Sequence, residues 1–393
     1  MADANRTRLG YIRETTPGET PATPELTEVR ITGESFANEI TNTTSQEIRA
    51  DRQITDLVQT SQGATGGFSY EFSFGTFDEL IAAALQSASP DFDQAGDIVA
   101  ISGTDIGADD GGTFTSGATD FTDENIKVGQ WIKVDGFTAT DSNGYFRVDA
   151  IAADTLTVSP APGTTEAAGN TITMSGTALK NGVNVEYFTW EKGFEDITEF
   201  LQFFGMAVNT WSLNLQSQSI ATGDFGFLGR GAGSSSATID TSGTYTPAPG
   251  TEVMNAVGNV MDIREDGAAV DSPNFVTNMT VELNNNLRQQ FAVGSVAAIG
   301  TGNGTCEITG TFTTYFGNRD FYEKFVDGSQ TSLSFRMQDN AGNVYYIDMP
   351  TVKYQTGQVF ASSQNSDVLQ EFTYQALRDP GEGHTISITK IAA

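Results

Sequence analysis

The stretch GFSYEFSFGTFDEL, from Gly67 to Leu80, constrains the fold more than any other part of the chain. Phe68, Tyr70, Phe72 and Phe74 alternate with Ser69, Glu71 and Ser73. A period of two puts four aromatics on one face of a strand and leaves the other face polar. Gly75 breaks the run, and Thr76 and Glu79 have the spacing of a helix capping box. Phe77, Leu80, Ile81, Ala84 and Leu85 then form one apolar helical stripe. The expected unit is a strand, a sharp turn and a short amphipathic helix.

The same unit returns later. Cys306, Ile308, Phe312 and Phe316 fall on one face of a second alternating run. Gly317 breaks it, Asn318 is the cap candidate, and Phe321, Tyr322, Phe325 and Val326 line a short helix. Phe316-Gly317 lies 242 residues after Phe74-Gly75. Arg52-Gln53-Ile54 leads into the first unit through a polar, glycine-containing segment, and Arg288-Gln289-Gln290-Phe291 leads into the second. The interval is far too long for a solenoid repeat, so a whole domain is duplicated. Phe68, Tyr70, Phe72, Phe74, Phe312 and Phe316 are the expected core aromatics.

The 393 residues leave room for two or three domains, each with its own core. Forty-two glycines, 18% charged residues and short aromatic runs separated by Thr, Ser and Asn favour a mainly β fold over helix bundles. Fifty acidic and 20 basic residues give a net charge of −30, which excludes direct gripping of nucleic acid by clustered Lys and Arg. The same acidity has a simpler reading as solubility. The single cysteine, Cys306, reads as a small core residue and rules out an intrachain disulfide framework. Met1 to Arg6 holds no apolar signal core, and the longest apolar run, Leu80 to Leu85, is too short to span a bilayer. The expectation is a soluble intracellular product with no membrane insertion.

Taken in order, residues 1–27, with Pro17, Pro21 and Pro24, read as an extended arm. Val29 to Ala37 is a strand candidate. Asn38 to Gly67 is a long polar loop holding Arg49, Asp51 and Arg52. Residues 91–181 change composition, with short β runs such as Trp131–Val134 and Tyr145–Val148 between the turn signals Asp135-Gly136 and Asn143-Gly144. The second copy has no counterpart, so these residues form a small inserted β-domain that projects. The parent domain, 28–90, resumes over 182–228, with a helix candidate from Glu195 to Phe204. Residues 229–250 are linker-like by composition, and 251–393 form the second copy.

No catalytic, metal-binding or cofactor-binding residue is expected. His384 is the sole histidine, and nothing near it in sequence supplies a nucleophile. Asp105–Gly112 lacks the glutamate that closes a calcium loop and reads as an acidic surface turn. Gly300–Gly304 opens a strand instead of a helix, so it has no anion site and reads as a flexible loop.

The segments RLGYIRETTPG (8–18), Pro21–Pro24, ITGES (31–35), EIRADRQ (47–53) and Phe72–Leu85 together resemble the tail tube proteins of long-tailed bacteriophages. The insertion is similar to small β-domains of such tail proteins through VGQWIKV (128–134). The resemblance implies a β-sandwich flanked by one helix, with sheets of neighbouring subunits joined into rings that stack into a tube. It also implies a virion protein made in the host cytoplasm, with other tail proteins as partners. Genomic DNA would pass through an acidic lumen without specific binding. Arg49, Asp51 and Arg52 are then inter-ring contact candidates, ordered together with the arm between stacked rings. Members usually carry one tube domain per chain and build rings from six. Two domains per chain imply a trimeric ring, a hexamer being the alternative. An exposed insertion occupies the space a contractile sheath needs. A rival reading of the chain is a carbohydrate- or receptor-binding β-protein.

Overall fold

The computed structural model describes residues 2–393 and is mainly β. The first copy opens with β1 (Thr7–Arg13), β2 (Thr27–Glu28), β3 (Gly33–Glu34), β4 (Ala37–Thr44), β5 (Leu57–Glu71) and α1 (Asp78–Leu85). An excursion follows through β6 (Ile98–Gly103), β7 (Ile106–Asp109), β8 (Thr113–Ser116), β9 (Trp131–Asp135), β10 (Gly144–Ile151), β11 (Thr155–Ser159) and β12 (Ile172–Lys180). The first copy resumes with β13 (Phe188–Phe194), β14 (Glu199–Gln216), β15 (Thr222–Gly229) and β16 (Gly231–Ser235). The second copy begins with β17 (Val260–Glu265), β18 (Ala268–Ala269), β19 (Val276–Asn284), β20 (Arg288–Gln290), β21 (Gly300–Gly302) and β22 (Glu307–Tyr315). It continues with α2 (Asp320–Asp327), β23 (Gln330–Gln338), β24 (Val344–Ala361), β25 (Val368–Ala376) and β26 (Ser387–Ile391).

The two copies pair their strands alike. In the first, β2, β1, β13, the first half of β14 and β16 form one sheet. In the second, β18, β17, β23, the first half of β24 and β26 do the same. The second halves of β14 and β24 cross into another sheet, as β14–β15–β5–β3/β4 and as β24–β25–β22–β19. Both long strands have 18 residues and a bulge near the crossing, at Val208/Thr210 and at Tyr354/Thr356. A bulge bends and twists a strand, which lets one strand serve both layers of a sandwich. The helices begin 242 residues apart, and each ends on a left-handed residue, Gln86 or Gly328.

The aromatic run packs as its alternation requires, then does something more. Phe68 and Tyr70 bury against Phe77 of the helix turn and Phe225 of β15, with Tyr70 and Phe77 centred 4.5 Å apart. The Trp211 indole N–H donates to the Tyr70 hydroxyl at 2.8 Å, and that hydroxyl donates to the Ser212 carbonyl at 2.9 Å. Phe72 and Phe74 lie beyond the end of β5 and close on Tyr345 of β24, at 5.5 and 4.9 Å. Half of the run therefore joins the two copies. In the second copy Phe312 packs on Phe321 and is fully buried. Phe316 is 40% exposed, contrary to the expected core position. Strand β22 ends at Tyr315, one residue too early for the alternation to carry Phe316 inward. The first helix lacks the expected capping box: Thr76 bonds Ser73 at 2.7 Å and Glu79 pairs with Arg13. Asn318 stands one residue before the cap and accepts from the Asp320 N–H at 3.2 Å.

Several expectations need correction. The start of the chain is no free arm, because β1 pairs with β13 along its whole length and buries Leu9 and Tyr11. Glu195–Phe204 is no helix. Residues 195–198 turn between β13 and β14, with Thr198 at φ +55°, and Ile197 points to solvent. The 3–4 spacing of Phe194, Ile197, Leu201 and Phe204 is incidental, and the hairpin matches β23–β24 of the second copy. The strand expected over Val29–Ala37 survives only as β3, and the expected loop over Asn38–Gly67 is a hairpin of β4 and β5. Gly300–Gly304 is not a loose loop, since β21 pairs with β20. Residues 229–250 are not a free linker. Strand β16 pairs with β14, and buried Glu191 accepts from the Ile239 N–H and the Tyr245 hydroxyl, both at 2.9 Å.

The excursion β6–β12 has its own apolar cluster, including Val99, Ile106, Phe114, Ile132, Phe146, Leu156 and Met174. It does not simply project. Strand β12 pairs with β26 of the second copy from Thr177↔Lys390 to Lys180↔Ser387. Trp131 stacks flat on Tyr346 at 4.0 Å. Arg147 Nε donates to Asp348 Oδ2 at 2.9 Å, and Arg147 also pairs with Glu382. Asp348 is 2% exposed, and burial holds its carboxyl up at about 6 despite the adjacent guanidinium. A raised carboxyl pKa means folding takes up a proton, so this group's contribution is full below the unfolded value of 3.8 and is lost as pH rises through about 6. Replacing Arg147 by Met leaves the carboxylate unpaired and is expected to cost about 3–5 kcal/mol at pH 8. The cost shrinks towards pH 5, where Asp348 is protonated. Urea melts at the two pH values check this, and an equal loss at both would contradict it.

Candidate assembly site

The two copies share one continuous sheet. Thr210–Gln216 of β14 pair antiparallel with Asn278–Asn284 of β19, in register from Thr210↔Asn284 to Gln216↔Asn278. This seam places β5, β15, β14, β19, β22 and β25 side by side. One face of the sheet is the shared core, with Tyr70, Phe225, Trp211, Leu213, Val281, Phe312 and Tyr374 in a single apolar cluster. Tyr374 donates across the sheet to the Thr280 carbonyl at 2.6 Å, as Tyr70 does to Ser212 in the first copy.

The other face is a ladder of small polar groups. Thr280 bonds Thr311 at 3.0 Å, Thr356 bonds Thr373 at 2.7 Å, and the Ser69 hydroxyl donates to Asp224 at 2.5 Å. Its charges are Glu71, Asp224, Glu282, Glu307 and Glu371, and none of the six strands contains Lys or Arg. Along these six strands the face is therefore acidic, a pattern legible in the sequence once the strands are known to be neighbours.

The sheet stops at two unpaired edges that repeat the seam's chemistry. Beyond Tyr354 the second half of β24 has β25 on one side and no strand on the other. In the first copy Ile31–Ala37 stands where β19 stands in the second, bonded inward to β5 through the Thr32 and Ser35 N–H groups. Its outer side is unpaired among the described residues. Unpaired backbone donors and acceptors on a strand edge are a template for another strand.

Two ribbons extend from the sheet, β4–β5 in the first copy and β20–β21 in the second. Arg49, Asp51 and Arg52 lie at the tip of the first. Arg49 forms a bidentate pair with Asp51, at 2.7 and 3.0 Å, and this bond holds the exposed Asp51 carboxyl below its usual range. Arg52 takes φ +57° and makes no ion pair among the described residues. Ile40, Ile48, Ile54, Leu57 and Val58 are all exposed on this ribbon, which the sequence did not announce because polar residues break their alternation.

The residues weighed for chemistry sit elsewhere. His384 is buried in the contact between excursion and second copy, where burial and Lys180 lower its pKa. Asp105 braces a turn by accepting from the Ser116 hydroxyl and the Ala118 and Thr119 N–H groups. Cys306 is half-buried just before β22, and burial pushes its thiol up to about 11. Among the described residues no group of three His, Cys, Asp or Glu is placed to hold a metal, and no helix is long and apolar enough to cross a membrane.

The profile of a family described as "Phage tail tube protein" matches residues 4–376, across both copies and the seam between them. The chain belongs to the phage tail tube protein family. No curated protein matches it. As a tail tube protein it is a structural component of a phage tail, and the matched residues of this tail tube protein include every strand of the shared sheet. Strand β19 has partners on both sides, and alternate residues along it bond to β14. Val281 lies opposite Leu213, an even number of residues from the bonds of Asn285 to Asn209 and of Ser217 to Thr277, so its N–H faces β14. Val281→Pro removes that donor from the middle of the seam and is expected to cost about 3 kcal/mol or more. Calorimetry checks this, and an unchanged melting temperature would contradict the seam.

Proposed function

We propose that this tail tube protein closes into rings by repeating its internal seam between chains, and that the rings stack into the tube through which phage DNA passes. The observation that carries the proposal is the pairing of β14 with β19 inside one chain. The free edge of β24 corresponds to β14, and the free edge at Ile31–Ala37 corresponds to β19. Joining the first to the second on the next chain extends the same sheet by two modules at each step. A heterologous contact of this kind closes into a ring when the rotation per module divides a full turn. Six modules, as the family resemblance implies, need three chains, giving a trimer with pseudo-sixfold symmetry.

In such a ring the polar face lines the channel. A face with five carboxylates per chain and no Lys or Arg along β5, β15, β14, β19, β22 and β25 repels phosphate, so DNA slides without adhering. The excursion attaches through β26, on the sheet behind the channel layer, which supports a position outside the tube, three per ring. At the ribbon tip, Arg49, Asp51 and Arg52 are the proposed contacts to the next ring, where their mutual pairing can be exchanged for partners across the interface. Image reconstruction of the assembled tube tests the proposal. Three chains per ring with both copies lining the channel is the expected result. Six chains, or a second copy away from the channel, would contradict it.

A further inference from the structure

The two ribbons are related by the duplication but differ in what they touch. The second copy's ribbon is clasped against the first copy of its own chain. The Gln62 N–H donates to the Val296 carbonyl at 2.8 Å, and the Ala298 N–H donates to the Gln62 carbonyl at 3.1 Å. The Gln289 amide donates to the Gly229 carbonyl at 2.7 Å, and Arg230 Nε donates to the Ala298 carbonyl at 3.0 Å. Ala298 is 1% exposed under this clasp. The first copy's ribbon has no such cover. From Asn38 to Thr60 nearly every residue is exposed, and Ile40, Ile54, Leu57 and Val58 stand in solvent. An isolated two-stranded ribbon is marginal in water, and one that displays branched apolar side chains lacks its packing partner.

The duplication says what that partner is. Phe68 and Phe312 hold the same place, each packed on the aromatic at the start of the following helix, Phe77 or Phe321. Counting back six residues on each strand sets Gln62 against Cys306. The same offset of 244 residues sets Arg288 against Thr44 and brings Ala297 and Ala298 into correspondence with Gln53 and Ile54; the ribbon pairs Arg288↔Gly302 and Thr44↔Leu57 agree with it to within the one residue of the β4–β5 bulge. Ile54 is 76% exposed where its counterpart Ala298 is covered. Within one chain, the surface equivalent to the first copy's clasp lies on the second copy, beside Cys306 and the end of β25, and among the described residues no hydrogen bond joins it to the β4–β5 ribbon. It comes into reach on the next chain of a ring.

We infer that the β4–β5 ribbon docks in trans on the second copy of the adjacent chain, as β20–β21 docks in cis, and so straps each chain-to-chain joint from outside the sheet ladder. The inference rests on the proposed ring. The ribbon backbone at Arg52–Ile54 lies along the neighbour's strand, and Ile54 covers its surface. Arg49 and Asp51 remain at the tip, free to reach the ring above.

A disulfide tests the geometry. Gln62 and Ala297 are bridge partners in the cis clasp, so their counterparts Cys306 and Gln53 are expected within disulfide range across the joint. Assembled Gln53→Cys protein, oxidised with copper–phenanthroline, is expected to give covalent dimers and trimers on a non-reducing gel. The same protein carrying Cys306→Ser is expected to stay monomeric on that gel. In parallel, Ile54→Ser is expected to leave the melting temperature of the free chain unchanged and to raise the concentration needed for ring formation at least tenfold. Rings visible by microscopy without cross-links, and with assembly of Ile54→Ser unaltered, would overturn the trans strap while leaving the ring standing. Failure of the unaltered chain to form rings would overturn both.

Discussion

The backbone ladder between β14 and β19 is the interaction on which the rest of the molecule depends. It turns two sandwiches into one sheet with a common core on one side and a common acidic surface on the other. It exists because each copy presents two complementary edges, the outer half of a long bent strand and the outer side of the strand next to the central aromatic one. Any copy with those edges must either hide them or use them. One pair is used inside the chain, and in the proposed ring the other pair joins the next chain, so polymerisation would be the leftover valence of a duplicated fold.

Around the ladder, three contacts fix how the copies sit. Phe72 and Phe74 clamp Tyr345, whose hydroxyl receives the Gly75 N–H at 3.0 Å and donates to Asp78. Gly75 sits at φ +75°, a conformation that sends the chain sharply from strand to helix and brings these groups together. The second ribbon clasps the first copy through Gln62, Gly229 and Arg230. The excursion reaches back to the second copy through β12 and Arg147. Each of these joins distant parts of the sequence, so the angle between copies, which would set the curvature of the proposed ring, is held at several points.

Much of this was legible in the residues and some was not. The alternation around Phe68 and Tyr70, the helix after Gly75 and the return of the unit 242 residues later follow from local periodicity, which the final packing respects. Phe316 was misplaced because alternation does not say where a strand ends. The helix expected at Glu195–Phe204 failed because helical spacing and a hairpin turn give the same short apolar pattern, and pairing with β13 decided between them. The arm and linker were read from Pro, Gly and Ser content, yet buried Leu9, Tyr11 and Tyr245 tie both to the sheet. The seam itself carries no local signature. Its strands read as ordinary amphipathic β, and only the three-dimensional order of the strands reveals the unbroken acidic face.

The central claim is that the seam within the chain is repeated between chains, and amide hydrogen exchange tests it most directly. In the free chain, the amides of Thr210–Gln216 and Asn278–Asn284 are already paired and are expected to exchange slowly, while those on the outer edges of Tyr354–Ala361 and Ile31–Ala37 exchange fast. On assembly the account predicts strong new protection at both outer edges together and little change at the internal seam. Edges that exchange as fast in the assembled tube as in the free chain would contradict it.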